Sequence, residues 1–125
     1  MSTGALVRYV VVFAVIVGCL AVGELLFKVG STKASVSPHT AQVRALAMAG
    51  GMVLMIIQQV LVWLLFHWGL DASVVVPVCG LNFAVLAILG KIFLGEPVDA
   101  QRWAGIVAIT IGAALVAQTQ KAPGP

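Results

Sequence analysis

Charge is scarce in this sequence. Asp, Glu, Lys and Arg make up 9% of its 125 residues, against about 25% in soluble proteins. Apolar residues make up 62%. A chain with room for one domain has too much surface for its volume to hide that much apolar side chain from water. A soluble globular fold is therefore excluded, and lipid must be the solvent for most of the chain. Cysteine is nearly absent too. Cys19 and Cys79 both sit inside apolar runs and read as small buried hydrophobes. Neither has a His or a second Cys at metal-ligand spacing, so no metal is expected. The sequence shows no nucleophile–base pair and no phosphate-cradling glycine loop, which argues against an enzyme and against a bound cofactor. The net charge of +3 comes from residues scattered between apolar runs. Such charges read as membrane-interface residues, and no nucleic-acid partner is expected.

What is present is a set of four long apolar runs, over residues 9–27, 45–68, 73–94 and 103–117, followed by a short tail at 118–125. Each run approaches the roughly 20 residues a helix needs to cross the hydrocarbon core. None shows the alternation of a barrel strand. The expected fold is all-α: one integral membrane domain, a bundle of four transmembrane helices. Tyr9, Trp63, Trp68 and Trp103 lie at or towards run ends, as interfacial aromatic belts do. The second connection, Gly69 to Ala72, is very short and implies antiparallel neighbours. Arg8 before the first run has the form of a secretory signal, and Ile16-Val17-Gly18-Cys19 has the form of a lipoprotein processing site. The residues after Cys19 stay apolar to Phe27, where a processed lipoprotein would carry a polar tether, so the run is read as a retained span.

Ionisable and amide residues within the runs are the candidates for function, because the bilayer makes them costly. Glu24 is the sharpest. Lys28 lies four residues on, on the same helix face, so the pair could bind a headgroup or simply neutralise itself at the interface. Asn82, in the middle third of the third run, needs a hydrogen-bond partner. Gln58 and Gln59 read as interhelical glue, and His67 as interfacial. Lys91 lies about one turn from the end of the third run, where it could snorkel or meet an anionic headgroup. Gly105 and Gly112, seven apart on one face of the fourth run, offer a close-packing surface for another helix or a second subunit.

The second half carries a recognisable succession: Pro77-Val78-Cys79-Gly80-Leu81-Asn82-Phe83, Leu94-Gly95-Glu96-Pro97-Val98, Arg102-Trp103-Ala104-Gly105-Ile106 and Ile111-Gly112. It resembles the last two helices of the drug/metabolite transporter superfamily. The Pro-to-Leu-Asn-Phe spacing and the Glu-Pro-Val resemble most the four-helix subunits of the aminoarabinose-phosphoundecaprenol flippase. Gly23-Glu24-Leu25-x-x-Lys28 is similar to that family's Gly-Gln-Leu-x-x-Lys, with an acid in place of the amide. The small multidrug resistance family also has a helix-one glutamate. Registered on Lys28, its position falls near Leu20.

The resemblance implies a small multidrug resistance-like fold, assembled as a homodimer or as a heterodimer with a similar subunit in the bacterial inner membrane. It implies a flippase or transporter subunit for a polyprenyl-phosphate-linked sugar or similar anionic lipid. Lys28, Lys91 and Arg102 would meet phosphate, and Glu24 and Asn82 would hydrogen-bond the polar headgroup. The alternatives are a proton-coupled exporter of organic cations and a non-transporting accessory subunit of a membrane glycan enzyme. Orientation follows from basic residues. Lys28, Lys33, Arg44, Lys91 and Arg102 flank the first and third connections, against Arg8 and Lys121 at the other side. Tags at Ser2 and Pro125 should accordingly be labelled from outside intact spheroplasts. Labelling of the first connection and of neither terminus would reverse the orientation.

Overall fold

The computed structural model describes residues 2–33, 35 and 37–120, so residues 121–125 of the tail lie outside the described residues. All regular structure among them is helical: α1 (Thr3–Ser31), α2 (Ala41–His67), α3 (Ala72–Cys79), α4 (Asn82–Leu94) and α5 (Ala100–Ala117). α3 and α4 together form one span, Ala72–Leu94, so four segments are long and apolar enough to cross a membrane. The chain is a multi-pass membrane protein.

The helices begin further out than the apolar runs do, because polar residues cap them. Ser2 accepts from the Ala5 amide, Thr40 from that of Val43, and Asp99 from that of Arg102. Each oxygen satisfies an amide that has no partner within its own helix. At the other end of α2, Gly69 adopts φ +87°. Its amide returns to Phe66 and that of Leu70 to Leu65, the paired bonds that close a helix C-terminus. Leu70 is thereby tucked against Leu65 in a buried cluster with Tyr9, Ile16, Val62 and Val75. Tyr9 is thus a core residue packed beside Trp68, with ring centroids 5.9 Å apart, and not part of an exposed aromatic belt. Arg8 lies 4.3 Å from the Trp68 ring at the same end. Trp63 stays exposed and stacks on His67.

The third span departs from the single helix expected over 73–94. Pro77 has no amide to donate and crowds the carbonyl one turn back. Past it, the Gly80 and Leu81 amides bond three residues back, to Pro77 and Val78. The helix stops at Cys79 and restarts at Asn82. This interruption lies twelve residues before Leu94, about 18 Å along the axis, near the middle of a hydrocarbon core of roughly 30 Å.

Glycines set the closest helix contact, between α1 and α2. A Cβ built on Gly51 would stand 2.6 Å from the Gly23 carbonyl oxygen, and one on Gly30 would stand 2.7 Å from that of Arg44. At Gly23 and Gly51 two backbones touch where neither helix carries a side chain, and Gly30 leaves room for the backbone of Arg44 and for Met48, as expected where lipid removes any hydrophobic drive for association. Gly105 and Gly112 play no such part within the chain: nothing lies within 4 Å of a Cβ at either. α5 packs chiefly on α3 and leaves that face open. Gly51→Ala should lower stability by about 1–3 kcal/mol through overpacking. Gly105→Ala, in open space within the chain, should leave the stability of the single chain unchanged or slightly raised. Thermal unfolding in detergent micelles measures both, and equal effects would contradict this assignment of the glycine contact.

Candidate functional site

The polar residues of α1 and the third span meet along one line. Glu24 and Lys28 are one turn apart on α1, on the face that receives α4. Glu24, half-buried, lies seven residues inside the Ser31 end of α1, about 10 Å along the axis. Its Oε2 accepts a hydrogen bond of 3.2 Å from Nδ2 of Asn82. Asn82 is 2% exposed, and its other amide atom, Oδ1, is buried without a hydrogen-bond partner. The break after Cys79 explains its position: Asn82 is the first residue of α4 and projects from an interrupted helix at mid-span. Transporters place binding groups at such interruptions, where irregular backbone is tolerated.

Lys28 does not pair with Glu24. Its ammonium forms an ion pair with Oε1 of Glu96, in the connection between α4 and α5. Gly95, at φ +64°, turns the chain at the end of α4, and the amides of Gly95 and Glu96 both return to the Gly90 carbonyl. That turn lays the Glu96 carboxylate against Gly90, where a Cβ would lie 3.1 Å from Oε2. The separation by depth has a simple cause. Glu24 sits where Asn82 is available, and Lys28, one turn nearer the interface, reaches the loop acid.

The other basic candidates have other partners. Arg102 donates from Nη1 to the Pro97 carbonyl at 2.8 Å, bracing its own loop. Lys91 is exposed, with its ammonium 5.9 Å from the centre of the Trp103 ring. Among the described residues, the direct polar contacts link Glu24 with Asn82 and Lys28 with Glu96, and neither Lys91 nor Arg102 joins them. Gln58 is half-buried and Gln59 exposed on α2. In the sequence Glu96 stands out only within the Leu94-Gly95-Glu96-Pro97-Val98 motif. Its signal was present: an acid directly after a glycine that ends a helix, on the same side of the membrane as Lys28.

Beyond this polar line, towards the Thr3 end of α1, an apolar crevice of about 680 Å³ lies between α1, α3, α4 and the end of α5. Tyr9, Phe13, Val17 and Gly18 line it from α1, and Leu81 and Val85 from the third span. Val17 lies two turns from Glu24 on the same face, and Leu81 directly precedes Asn82. Polar line and crevice therefore share one stripe of α1. Among the described residues, no group of three His, Cys, Asp or Glu could hold a metal ion.

The arrangement is that of a helical membrane protein with paired polar groups inside a span and an apolar crevice beside them. Its similarity to known proteins is specific. The chain is 42% identical over 52 residues to the probable 4-amino-4-deoxy-L-arabinose-phosphoundecaprenol flippase subunit ArnE of Pseudomonas savastanoi pv. phaseolicola, covering 42% of this chain and 46% of that one. It is 40% identical over 58 residues to the ArnE protein of Pseudomonas fluorescens, covering 46% and 51%. With the ArnE protein of Pseudomonas syringae pv. syringae it shares 38% over 52 residues, covering 42% and 48%. The chain spans about half the length of the curated relatives it matches. The resemblance read from the motifs is thus to these flippase subunits. No family model matches the chain, and no solved structure matches it.

A double-mutant cycle tests the pairing. Lys28→Gln and Glu96→Gln should couple by up to about 1 kcal/mol, as half-exposed ion pairs do. Lys28→Gln and Glu24→Gln should couple more weakly. Stronger coupling to Glu24 would restore the one-turn pair on α1.

Proposed function

We propose that the chain is a transporter subunit of the bacterial inner membrane that moves a polyprenyl-phosphate-linked sugar or similar anionic lipid between leaflets. One observation carries this reading: a carboxylate and a buried amide with a free acceptor meet at a mid-span helix break, beside an apolar crevice. An amphiphile has the complementary shape. Its sugar hydroxyls or amine can donate to Glu24 and to Oδ1 of Asn82, which has no donor of its own, and a buried acceptor left unmet costs about 1–3 kcal/mol. Its phosphate is drawn to the basic residues at the loop end, Lys28 first, with Lys91 and Arg102 further along the same side. Its hydrocarbon lies in the crevice or in the lipid next to it. The relatives named as flippase subunits support the lipid-linked sugar, and the word subunit in their names supports a dimer, with an identical or a similar chain. The open face of Gly105 and Gly112 on α5 is one surface where a second subunit could pack closely.

The charge at Glu24 favours a second reading, the proton-coupled export of organic cations, since a carboxylate serves a proton or a cation as well as a sugar. Transport in proteoliposomes separates the two. With folded protein as the reference, Glu24→Gln and Asn82→Leu should each cut flipping of a polyprenyl-phosphate sugar by at least tenfold, and Glu24→Gln, which keeps a hydrogen-bonding group of the same size, should do so while leaving the protein folded. Wild-type flipping in Glu24→Gln would remove Glu24 from the site. Uptake of organic cations without lipid flipping would favour the exporter.

A further inference from the structure

The ion pair between Lys28 and Glu96 holds the basic residue that the proposed mechanism needs for phosphate. We infer that Glu96 is an internal stand-in for that phosphate: its carboxylate occupies Lys28 in the unloaded protein, and an incoming phosphate takes Lys28 over by exchange. The inference rests on the lipid-phosphate reading and adds a residue that sets affinity.

Four observations carry it. First, the pair is accessible, with Lys28 58% and Glu96 36% exposed at the side chain, so an anion can reach it from the interface. Second, Glu96 is not built into a helix. It follows the left-handed turn at Gly95 and precedes Pro97, so its release requires movement of a connection and leaves the core untouched. Third, its carboxylate rests on Gly90, a position without a side chain, and among the described residues Lys28 is its one side-chain hydrogen-bond partner. Fourth, the pair joins α1 to the α4–α5 connection one turn along α1 from Glu24, so an anion that takes Lys28 arrives next to the bond between Glu24 and Asn82. Both partners of Lys28 would be oxyanions, so the exchange substitutes one charge-assisted contact for another.

Competition of this kind lowers apparent affinity by the fraction of protein in which Lys28 is free. For a half-exposed pair the reduction is modest, roughly two- to fivefold.

The test uses the full chain in neutral maltoside micelles, titrated with dodecyl phosphate and followed by native mass spectrometry. Glu96→Gln should bind dodecyl phosphate roughly two- to fivefold more tightly than wild type. Lys28→Gln should bind it several-fold more weakly, and adding Glu96→Gln to Lys28→Gln should give no gain. Glu96→Asp keeps the charge but shortens the reach by one methylene. It should fall between wild type and Glu96→Gln, and it carries the test alone if the glutamine variant does not survive purification. Binding by Glu96→Gln, or by Glu96→Asp in its place, no tighter than wild type would overturn the exchange while leaving the phosphate reading intact. Wild-type binding by Lys28→Gln would overturn the phosphate reading itself, and the exchange with it.

Discussion

Within hydrocarbon, a polar group must find its partner in the protein. That constraint organises the molecule around the hydrogen bond from Asn82 to Glu24. A carboxylate on α1 and an amide on the third span each incur a large desolvation cost alone. Together they offset part of it and fix which faces of α1 and α4 meet. The third span breaks just before Asn82, so the amide is presented by the start of a helix. Lys28 is then left to the loop acid Glu96, and the polar line divides into a deep pair and a superficial pair.

The two sides of α1 solve different packing problems. The side towards α4 carries the polar line and the apolar crevice. The side towards α2 carries Gly23 and Gly30 against Gly51 and Arg44, with backbone on backbone. α1 is thus fixed by close contact on one side and left with space on the other. That division leaves space beside the polar residues without loosening the bundle. α5 is attached mainly through α3, and Ala113 is its one buried residue among those described.

The sequence made the four spans legible because lipid demands long apolar runs and leaves little ambiguity about what they are. Their ends were less legible. The runs stop where hydropathy falls, whereas the helices stop where Ser2, Thr40 and Asp99 can cap them. The break in the third span could have been anticipated from Pro77 and Gly80, yet a proline inside an apolar run signals only a weak point and not which residue follows the gap. Glu24 and Asn82 stood out as polar residues in hydrocarbon, and the structure joins them. Their partners were harder to see. Sequence spacing offers Lys28 to Glu24, but spacing reports only neighbours on one helix. Glu96 becomes the partner through a turn that brings residues 68 positions apart together. Gly105 and Gly112 have the right spacing for packing, and within this chain nothing comes to meet them.

The spans are unequal in length. α1 has 29 residues and α5 has 18, about 44 Å and 27 Å of helix at 1.5 Å per residue. The hydrocarbon core measures roughly 30 Å. One bilayer cannot match both. α1 must tilt or project from the membrane, while α5 draws the surrounding lipid thinner, each at a modest cost for every ångström of mismatch. The oil is therefore thinnest beside α5, the shortest of the four spans, and a polar group at its ends faces the shortest apolar barrier in the molecule.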